Sequence, residues 1–562
     1  MLEPSRITIR IPRPERHFVD CEVSCPGLLS GPHDFFLPVW TPGSYLIREY
    51  SKHVQGIEAV DGKGASLPVR KTAKNRWRVE LPGDGECRLR YRVYARDLTV
   101  RTNHVDAERA FLTGAALYLC EESRRDGPFE LRVEAPEGWG THCPLPLHEG
   151  RFSAADYDEL VDCPVLCGDF ETTGFEVHGV EHLCVHDGTP RSDRESLTRD
   201  LERIVRANAA VFGNDLPYER YVFLLLFDEK GSGGLEHGSS CVIHVPRSQL
   251  RTAGGRRRLL ALLAHEHFHA WNVKRIRPEG LERFDYEREN YCRGLWLAEG
   301  FTSYYQELIP YRAGLFSRNE MLRRIAKNAG EVLETPGRRV QSLSESSFDA
   351  WIKLYRPDED SRNATVSYYA KGALAAFCLD VLIQTSSGGR RSLDDVMRAL
   401  WEDARNRGPG QELDLVRRAA SAAAGRDLGR EFSLLFESTE DPPLEEWLGP
   451  IGLRLLPPDG TEEPYLGIRT AIRDRRLFVE AVERDGPGEA MGLDPGDEIV
   501  ALNGERVLPE DFGQVLEKEH RSGDEIRIQL FRRGLLSECG GRLGARRRGG
   551  WRLIEETEVF RG

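Results

Sequence analysis

Three polar residues in one predicted helix could bind a metal ion and use it. His265 and His269 are four residues apart, so a helix places both imidazoles on one face, where their nitrogens can reach a single ion. Glu266, on the adjoining face, can hold a water beside that ion. The run 256–271 is rich in leucine and contains no proline or glycine, which predicts a buried helix long enough to carry all three residues.

A carboxylate further along the chain is the predicted third ligand. Glu299 follows His269 by thirty positions and lies in a second predicted helical stretch, 294–305, among apolar and aromatic residues. Two imidazoles and one carboxylate are a ligand set of catalytic zinc, which keeps a fourth position open for water. The alternatives are a solvated helix acid at position 299 and purely structural histidines in the first helix.

A glycine-rich stretch, 231–238, follows a predicted apolar strand at 221–227. Glycines let the backbone approach a ligand closely, and Glu236 is the acid of this stretch that can be buried. We expect Glu236 to receive the free amino group of a substrate. The alternative is a turn acid that caps the end of a helix or strand.

A tyrosine near the metal could donate a hydrogen bond to the oxyanion of a tetrahedral intermediate. Spacing alone leaves Tyr368, Tyr304 and Tyr305 in competition for this role, with ordinary packing on an amphipathic helix as the alternative for each. A separate stretch, 38–50, gathers aromatic residues, two prolines and a glycine around a charge pair. It is either a loop that abuts the active site or a rigid structural corner.

The composition is that of an ordinary soluble protein of several domains. The chain has 562 residues, 40% of them hydrophobic and 30% charged, with a net charge of -13. The acidic balance argues against a nucleic-acid partner, since the basic run at 546–548 is short. The twelve cysteines are scattered and are predicted to be reduced thiols. Because no signal-peptide profile and no long uninterrupted apolar run are present, we predict a cytoplasmic protein without a membrane span.

The order of predicted elements divides the chain into several parts and predicts a multidomain α+β fold. Alternating strands separated by turn residues predict an antiparallel β-sandwich at the amino terminus. Mixed strands and long helices follow, and a linker rich in proline and acids precedes a second β-rich module. The predicted divisions are a β-sandwich domain (1–171), a catalytic domain with a helical subdomain (172–440), a linker (441–463), the β-rich module (464–545) and a tail (546–562).

These residues and patterns resemble the glycyl aminopeptidase family, zinc metallopeptidases of the gluzincin type that carry a C-terminal PDZ domain. The resemblance covers essentially the whole chain and is carried by the stretches 38–50, 265–278, 296–302, 347–351 and 368–372. It implies an N-terminal β domain, a thermolysin-like catalytic domain extended by helices, and a PDZ domain. It also implies one zinc ion per chain.

A neighbouring gluzincin family, aminopeptidase N and its relatives, uses Gly-x-Met-Glu-Asn for amine recognition and Tyr-x-Lys-Gly for the oxyanion. The matching stretches here are 233–237 and 369–372, which favours Glu236 and Tyr369 for these two roles. His237 stands where those enzymes have asparagine, so amine recognition is expected to differ in detail.

The C-terminal module resembles the PDZ domains of bacterial HtrA proteases. The resemblance implies that Tyr465, Leu466, Gly467 and Ile468 form the carboxylate-binding loop. Their backbone N–H groups would hold the C-terminal carboxylate of a peptide that adds a strand to the sheet edge. The alternative occupant of that edge is the chain's own tail.

The sequence therefore predicts a zinc aminopeptidase that acts on peptide substrates. Zinc is held by His265, His269 and Glu299, and Glu266 takes a proton from water and passes it to the leaving amine. Tyr369 and the metal stabilise the oxyanion, while Glu236 binds the substrate ammonium. The family resemblance implies a preference for small N-terminal residues such as glycine or alanine. The alternatives are a zinc endopeptidase whose PDZ domain recruits protein substrates and an inactive PDZ peptide-binding adaptor; the roles of His267 and of residues 272–277 are left open.

Overall fold

The computed structural model describes residues 3–231 and 233–556. The chain forms two compact units. The first comprises the chain up to Cys292, with Tyr305–Phe316 and Met397–Leu413. The second comprises Arg293–Tyr304, Ser317–Val396 and the chain from Asp414 onward.

Three β-sheets make up the amino-terminal part of the first unit, because apolar residues alternate along its strands and bury one face of each. The largest sheet has eight strands, in the order Leu147–His148, Arg151–Ala154, Phe129–Glu134, Ser5–Arg10, Phe18–Leu28, Gly85–Tyr94, Val54–Asp61 and Ser66–Leu67. Two four-stranded sheets are formed by Gly140–His142, Val165–Gly168, Arg109–Leu112 and His104–Val105, and by Cys120–Glu121, Gly31–Phe36, Arg76–Leu81 and Val69–Ala73.

One strand pair departs from the predicted antiparallel arrangement. Ser5–Arg10 pairs parallel with Phe129–Glu134 and antiparallel with Phe18–Leu28. A parallel neighbour requires a long crossover connection. Here residues 11–128, which include several other strands of the domain, connect the two parallel strands. The β-rich domain is therefore confirmed, but with a mixed sheet.

A five-stranded sheet and two helices follow in the first unit. The strand order is Glu171–Val177, Val180–Asp187, Arg220–Asp228, Ser240–Pro246 and Gly234–Glu236. The central strand, Arg220–Asp228, is buried on both faces, as its continuous apolar run predicts. The helices are Arg191–Val211 and Ala253–Phe268. The latter, called the histidine helix below, begins at an N-cap where Thr252 accepts a hydrogen bond from Gly255 N at 3.0 Å.

Helices dominate the next part of the chain. A π-helix at Trp296–Phe301 runs directly into an α-helix at Thr302–Arg312. The remaining helices are Arg318–Leu333, Leu343–Phe348, Ser361–Ala364, Tyr368–Ser387, Leu393–Arg407, Leu413–Ala424, Gly429–Phe436 and Leu444–Leu448. Tyr368–Ser387, called the tyrosine helix below, is a core helix. The segment Ser361–Ser387 is long and apolar enough to cross a membrane, with a mean hydropathy of 1.4, but 89% of its apolar window is buried inside the protein.

A compact β module completes the second unit, with a five-stranded path of Ile468–Arg473, Arg476–Val482, Glu498–Leu502, Glu525–Arg532 and Leu535–Arg542. Glu505–Arg506 pairs with Glu498–Leu502, and the helices are Pro487–Ala490 and Phe512–Glu519. Two short ribbons join it, Glu462–Tyr465 with Gly544–Arg547 and Leu453–Leu456 with Arg552–Glu555. The stretch predicted as a linker therefore contains a helix and strands, because Trp447 and Leu453 are buried. Part of the predicted tail is also strand, and residues 557–562 of it lie outside the described residues.

Candidate metal centre and active site

The histidine helix brings two imidazoles together at its carboxyl end. The rings of His265 and His269 lie 4.6 Å apart, centroid to centroid, and are nearly perpendicular at 86°. Both side chains are buried. Nδ1 of His269 is 2.6 Å from the backbone oxygen of Asn272, so this nitrogen carries the proton and donates it to the carbonyl. The bond leaves Nε2 as the nitrogen of His269 that could bind a metal.

Two sets of donor atoms could hold a metal among the described residues. In the first, one ligand atom each from His265, His269 and Glu299 lie within 4.8 Å of one another. In the second, the donors come from Glu236, Glu266 and His269, under the same distance limit. All five side chains are buried. The first set matches catalytic zinc because it offers two imidazoles and one carboxylate.

Glu299 lies in the π-helix, a wider turn than the α-helix predicted over 294–305. Such single π-turns occur frequently at functional sites. The chain continues without a break into Thr302–Arg312, where Tyr305 stacks on Phe268 of the histidine helix with ring centroids 4.5 Å apart. This stacking contact involves the residue next to His269.

Tyr369 lies in the first turn of the tyrosine helix. Burial raises the pKa of its hydroxyl well above the usual value, and the negative charge of Glu299 raises it further. The hydroxyl therefore stays protonated and can donate a hydrogen bond. Its oxygen lies 3.1 Å from the hydroxyl oxygen of Tyr355, a residue that no sequence pattern singled out.

The competing tyrosines have other contacts. Tyr304 donates its hydroxyl hydrogen to Oδ2 of Asp380 at 2.6 Å. Tyr368 is fully buried and stacks on Tyr369 with centroids 4.7 Å apart. Tyr305 is the ring that stacks on Phe268. These contacts agree with the packing alternative for the three.

Lys371 of the Tyr-x-Lys-Gly stretch holds surrounding loops in place. Its Nζ lies 3.2 Å from the carbonyl oxygen of Arg338 and 3.5 Å from those of Gln341 and Ser438. Burial lowers the pKa of Lys371 to about 8. The Tyr-x-Lys-Gly stretch thus combines a protonated hydroxyl close to Glu299 with an ammonium that holds the start of the tyrosine helix to neighbouring loops.

Glu236 ends the edge strand Gly234–Glu236 and is 3% exposed. Its buried Oε1 has no hydrogen-bond partner among the residues that the structure describes. A Cβ added to Gly234 would lie 2.3 Å from Oε1 of Glu266, so the backbone here approaches the candidate general base directly. The backbone at Gly234 therefore makes the close approach that the sequence suggested, and the Glu236 carboxylate lies beside candidate metal donors of Glu266 and His269.

Comparison with known proteins agrees with this geometry. The family model described as "Peptidase M61 N-terminal domain" matches residues 6–169, and the one described as "M61 glycyl aminopeptidase" matches residues 258–375. A PDZ domain model matches residues 478–528. A solved structure of an aminopeptidase N family protein from Idiomarina loihiensis is 29% identical, covers 98% of each chain and has a TM-score of 0.92.

The chain belongs to the M61 glycyl aminopeptidase family. This confirms the family and the metallopeptidase class predicted from the sequence. Two further relatives are more distant. Serine protease Do-like HtrB of Bacillus subtilis is 33% identical over 78 residues. The match covers 14% of this M61 chain and 17% of that relative's length. The M1 zinc metallopeptidase from Deinococcus radiodurans is 16% identical, with 79% of this chain and 94% of that chain covered and a TM-score of 0.49.

His267, whose role the sequence left open, anchors the histidine helix of this M61 protein through a buried chain of hydrogen bonds. Asn208 Nδ2 donates to His267 Nδ1 at 2.9 Å, and His267 Nε2 donates to the Tyr218 hydroxyl at 2.6 Å. Tyr218 donates in turn to Nε2 of His182 at 3.0 Å, and His182 Nδ1 donates to the carbonyl of Val180. Burial lowers the pKa of His182 to about 4 and holds the pKa of His267 well below its usual value, so both rings are neutral, as this direction of donation requires.

Residues 272–277 also contribute, through a partly buried aspartate, Asp162, that sequence reasoning missed. Lys274 Nζ lies 2.8 Å from Oδ1 of Asp162, and Nδ1 of His237 lies 3.1 Å from the same oxygen. Burial opposes ionisation of Asp162, but Lys274 and His237 outweigh it and hold the pKa of Asp162 below its usual range. The partners are 75 and 112 residues from Asp162 in the chain, so no local pattern could have revealed them.

The predicted carboxylate-binding loop of the PDZ module is the short connection between the strands Glu462–Tyr465 and Ile468–Arg473. Gly467 has φ +69, and its carbonyl accepts a hydrogen bond from Glu483 N at 2.8 Å. The carbonyl of Leu466 accepts one from Gly488 N at 2.7 Å. Both carbonyls are therefore directed into the module's own backbone.

Proposed function

We propose that this protein is a zinc-dependent aminopeptidase that hydrolyses the first peptide bond of peptides with small N-terminal residues such as glycine or alanine. The observation that carries the proposal is the buried carboxylate of Glu236, whose Oε1 has no partner among the described residues and which lies beside the metal-binding donors. An ionised acid in such a place is costly unless a cation from outside the chain pairs with it. A substrate ammonium is that cation.

His265, His269 and Glu299 are the proposed ligands of one zinc ion. Two neutral imidazoles and a carboxylate suit zinc, and the carbonyl of Asn272 holds the ring of His269 in the required tautomer. When bound, zinc polarises the scissile carbonyl and lowers the pKa of water.

Glu266 is the proposed general base and acid. It takes a proton from the attacking water and returns it to the nitrogen of the leaving peptide, a contribution of about 10² to 10⁴ in rate. The backbone at Gly234 lies against its carboxylate and limits the positions that the side chain can adopt. A side chain at position 234 would occupy this space.

Tyr369 is the proposed donor to the oxyanion that forms as the carbonyl is attacked. Its raised pKa keeps the hydroxyl protonated at neutral pH, which a hydrogen-bond donor needs. Glu236 binds the ammonium of the substrate and so fixes cleavage at the first bond. The preference for small N-terminal residues comes from the family alone.

A matched pair of substrates tests the proposal. The purified protein is assayed with alanyl and glycyl peptide amides whose amino groups are free or acetylated, with and without a chelator. We expect about 100-fold or greater preference for the free amine, from a charge-assisted contact, and loss of activity on chelation that zinc restores. In Glu236→Gln this preference should largely disappear. Equal cleavage of free and acetylated peptides by the unaltered protein would favour an endopeptidase instead.

We also propose that the PDZ module, 464–545, binds the C-terminal carboxylate of a peptide at Tyr465, Leu466, Gly467 and Ile468.

The divisions 1–171, 172–440 and 441–463 remain our proposed domain bounds. Free thiols such as those of Cys21, Cys184 and Cys378 support a reducing compartment, and we propose that this compartment is the cytoplasm.

A further inference from the structure

A tight turn of the amino-terminal region lies against the carboxylate of Glu236. Ser44 N donates to Thr41 O at 3.1 Å, which closes a four-residue turn with Pro42 and Gly43 at its centre. Gly43 has φ +86, the value that a type II turn requires at this position. We call residues 41–44 the Pro–Gly turn.

The surroundings of the Pro–Gly turn hold it rigidly. Nη2 of Arg48 donates to Oγ of Ser44 at 2.7 Å, and Nε1 of Trp40 donates to the carbonyl of Asp285 at 2.7 Å. Val39 N donates to Tyr286 O at 2.8 Å. The stretch 38–50 is therefore both a structural corner and a neighbour of the active site, so the two sequence-based alternatives for it are compatible.

The contact between Gly43 and Glu236 leaves no room for a side chain. A Cβ added to Gly43 would lie 2.4 Å and 2.6 Å from the two carboxylate oxygens of Glu236 and 2.7 Å from Cδ. The backbone of the turn therefore faces the carboxylate directly. Donor atoms of Glu266 and His269 lie within 4.8 Å of the Glu236 carboxylate, so the carboxylate has both the turn and the catalytic groups as neighbours.

The residues that follow Glu236 are fixed as well, so the glutamate cannot move away with its backbone. Gly238 N donates to Oδ2 of Asp162 at 2.7 Å, and His237 bonds to the other oxygen of the same aspartate. Arg275 donates to the carbonyl of Gly238 at 2.5 Å. A displacement at position 236 would therefore be confined to its side chain.

We propose that Gly43 is a specificity-determining position: the Pro–Gly turn holds the Glu236 carboxylate where it binds the substrate ammonium, and it does so because position 43 has no side chain. Gly43 acts through Glu236 and is a positioning residue. This inference rests on the proposed aminopeptidase function. It assigns a part of amine recognition to the region matched by the N-terminal family model, outside the stretch 258–375 that carries the metal-binding helix.

The chain offers a matched control at Gly64. Gly64 also has φ +86, but among the described residues no heavy atom lies within 4 Å of the Cβ that alanine would add. Gly43→Ala and Gly64→Ala therefore carry the same backbone strain, and only the first meets Glu236. Because the atoms met are the end of a flexible side chain, Glu236 can rotate away and the fold is retained.

The experiment measures kcat and KM of both variants with free and acetylated alanyl peptide amides, together with zinc content and melting temperature. We expect Gly43→Ala to lose about 20- to 200-fold in kcat/KM for the free amine relative to Gly64→Ala, mainly through KM, since a charge-assisted contact is lost. Zinc content and melting temperature should match those of Gly64→Ala. In the Gly43→Ala background, Glu236→Gln should change kcat/KM by less than about threefold, because both substitutions remove one interaction.

Equal kcat/KM values for the two alanine variants, or additive effects of Gly43→Ala and Glu236→Gln, would overturn the inference and leave the proposed function intact. The proposed function fails separately, when the unaltered protein cleaves acetylated peptides as fast as free ones. If Gly43→Ala accumulates poorly, Glu236→Asp is added, because a side chain shorter by one methylene leaves room for the new Cβ. That double variant must accumulate as Gly64→Ala does; its failure to do so also overturns the inference.

Discussion

Gly300 and Gly372 are in direct backbone contact. A Cβ on Gly300 would lie 2.6 Å from Cα of Gly372 and 2.9 Å from the carbonyl oxygen of Tyr368. A Cβ on Gly372 would lie 2.8 Å from Cα of Gly300. Gly300 follows Glu299, the proposed zinc ligand, and Gly372 lies about one helical turn after Tyr369, the proposed donor to the oxyanion. The contact between the two glycines therefore sets the spacing of the π-helix and the tyrosine helix next to both of these residues.

Gly300→Ala should therefore destabilise the protein and weaken metal binding. The atoms that the new Cβ meets belong to backbone, so the two helices must separate, at a cost of about 1–3 kcal/mol in the free energy of unfolding. Glu299 moves with its helix, and zinc content after dialysis should fall. Denaturant unfolding and metal analysis measure the two effects.

The control for this variant is Gly513→Ala. Gly513 is also in a helix, Phe512–Glu519, and within the described residues no heavy atom lies within 4 Å of its added Cβ. Alanine there should be neutral or stabilise by up to about 1 kcal/mol, since glycine is the poorer helix former. If both variants unfold alike and retain zinc equally, the glycine contact does not position Glu299.

The sequence reveals the parts of the site that depend on local periodicity. The four-residue spacing of His265 and His269 requires only a helix, and the structure has that helix three residues earlier at its start than predicted. The glycines before Glu236 likewise indicate a close backbone approach. The π-turn at Glu299 could not be predicted, because no local pattern marks it and because the close contact of the adjoining Gly300 with Gly372 joins residues far apart in the chain.

Long-range partners are the other part that sequence reasoning misses. Asp162 and Tyr218 bond to His237 and His267 from 75 and 49 residues away in the chain, and Tyr355 bonds to Tyr369 from a neighbouring loop. Aromatic and acidic residues of this kind occur throughout the chain, so their types alone carry no signal. The stretch 441–463 is a similar case. Its proline and acid content indicates a linker, although its few apolar residues, such as Trp447 and Leu453, are buried.

Tyr218→Phe should destabilise the protein through the hydrogen-bonded chain behind the histidine helix. Loss of the hydroxyl leaves a buried donor on His267 and a buried acceptor on His182 without their bonds, a cost of about 2–5 kcal/mol. Tyr50→Phe is the matched control, because the buried hydroxyl of Tyr50 has no hydrogen-bond partner in the described part of the chain. Chemical denaturation should show a large loss for the first variant and little change for the second. Equal stabilities would mean that the chain of hydrogen bonds contributes nothing.

Lys371→Met should change how stability depends on pH. Burial lowers the pKa of Lys371 to about 8 from an ordinary 10.5, so between these values the unfolded state binds more protons than the folded state. Stability contributed through this residue therefore rises as pH increases from 8 toward 10.5. The unfolding free energy of the unaltered protein minus that of Lys371→Met should increase over this range.

The control variant is Lys327→Met, which replaces an exposed lysine and should show no such pH-dependent difference. If the free-energy difference for Lys371→Met does not change between pH 8 and 10.5, the prediction is wrong.

Glu266→Gln and Glu299→Gln should separate the general base from the metal ligand, although both substitutions replace a buried carboxylate with an amide of the same shape. Glu266→Gln should lower kcat by about 10² to 10⁴ with little change in KM, because proton transfer is lost. Its zinc content should stay near one per chain. Glu299→Gln should instead lose zinc on dialysis, since an amide oxygen is a much weaker ligand than a carboxylate.

Metal analysis and steady-state kinetics on both variants decide between the two donor sets, which share His269. Loss of zinc from Glu266→Gln with retention in Glu299→Gln would assign the metal to Glu236, Glu266 and His269, and would leave the hydrolysis without its proposed base.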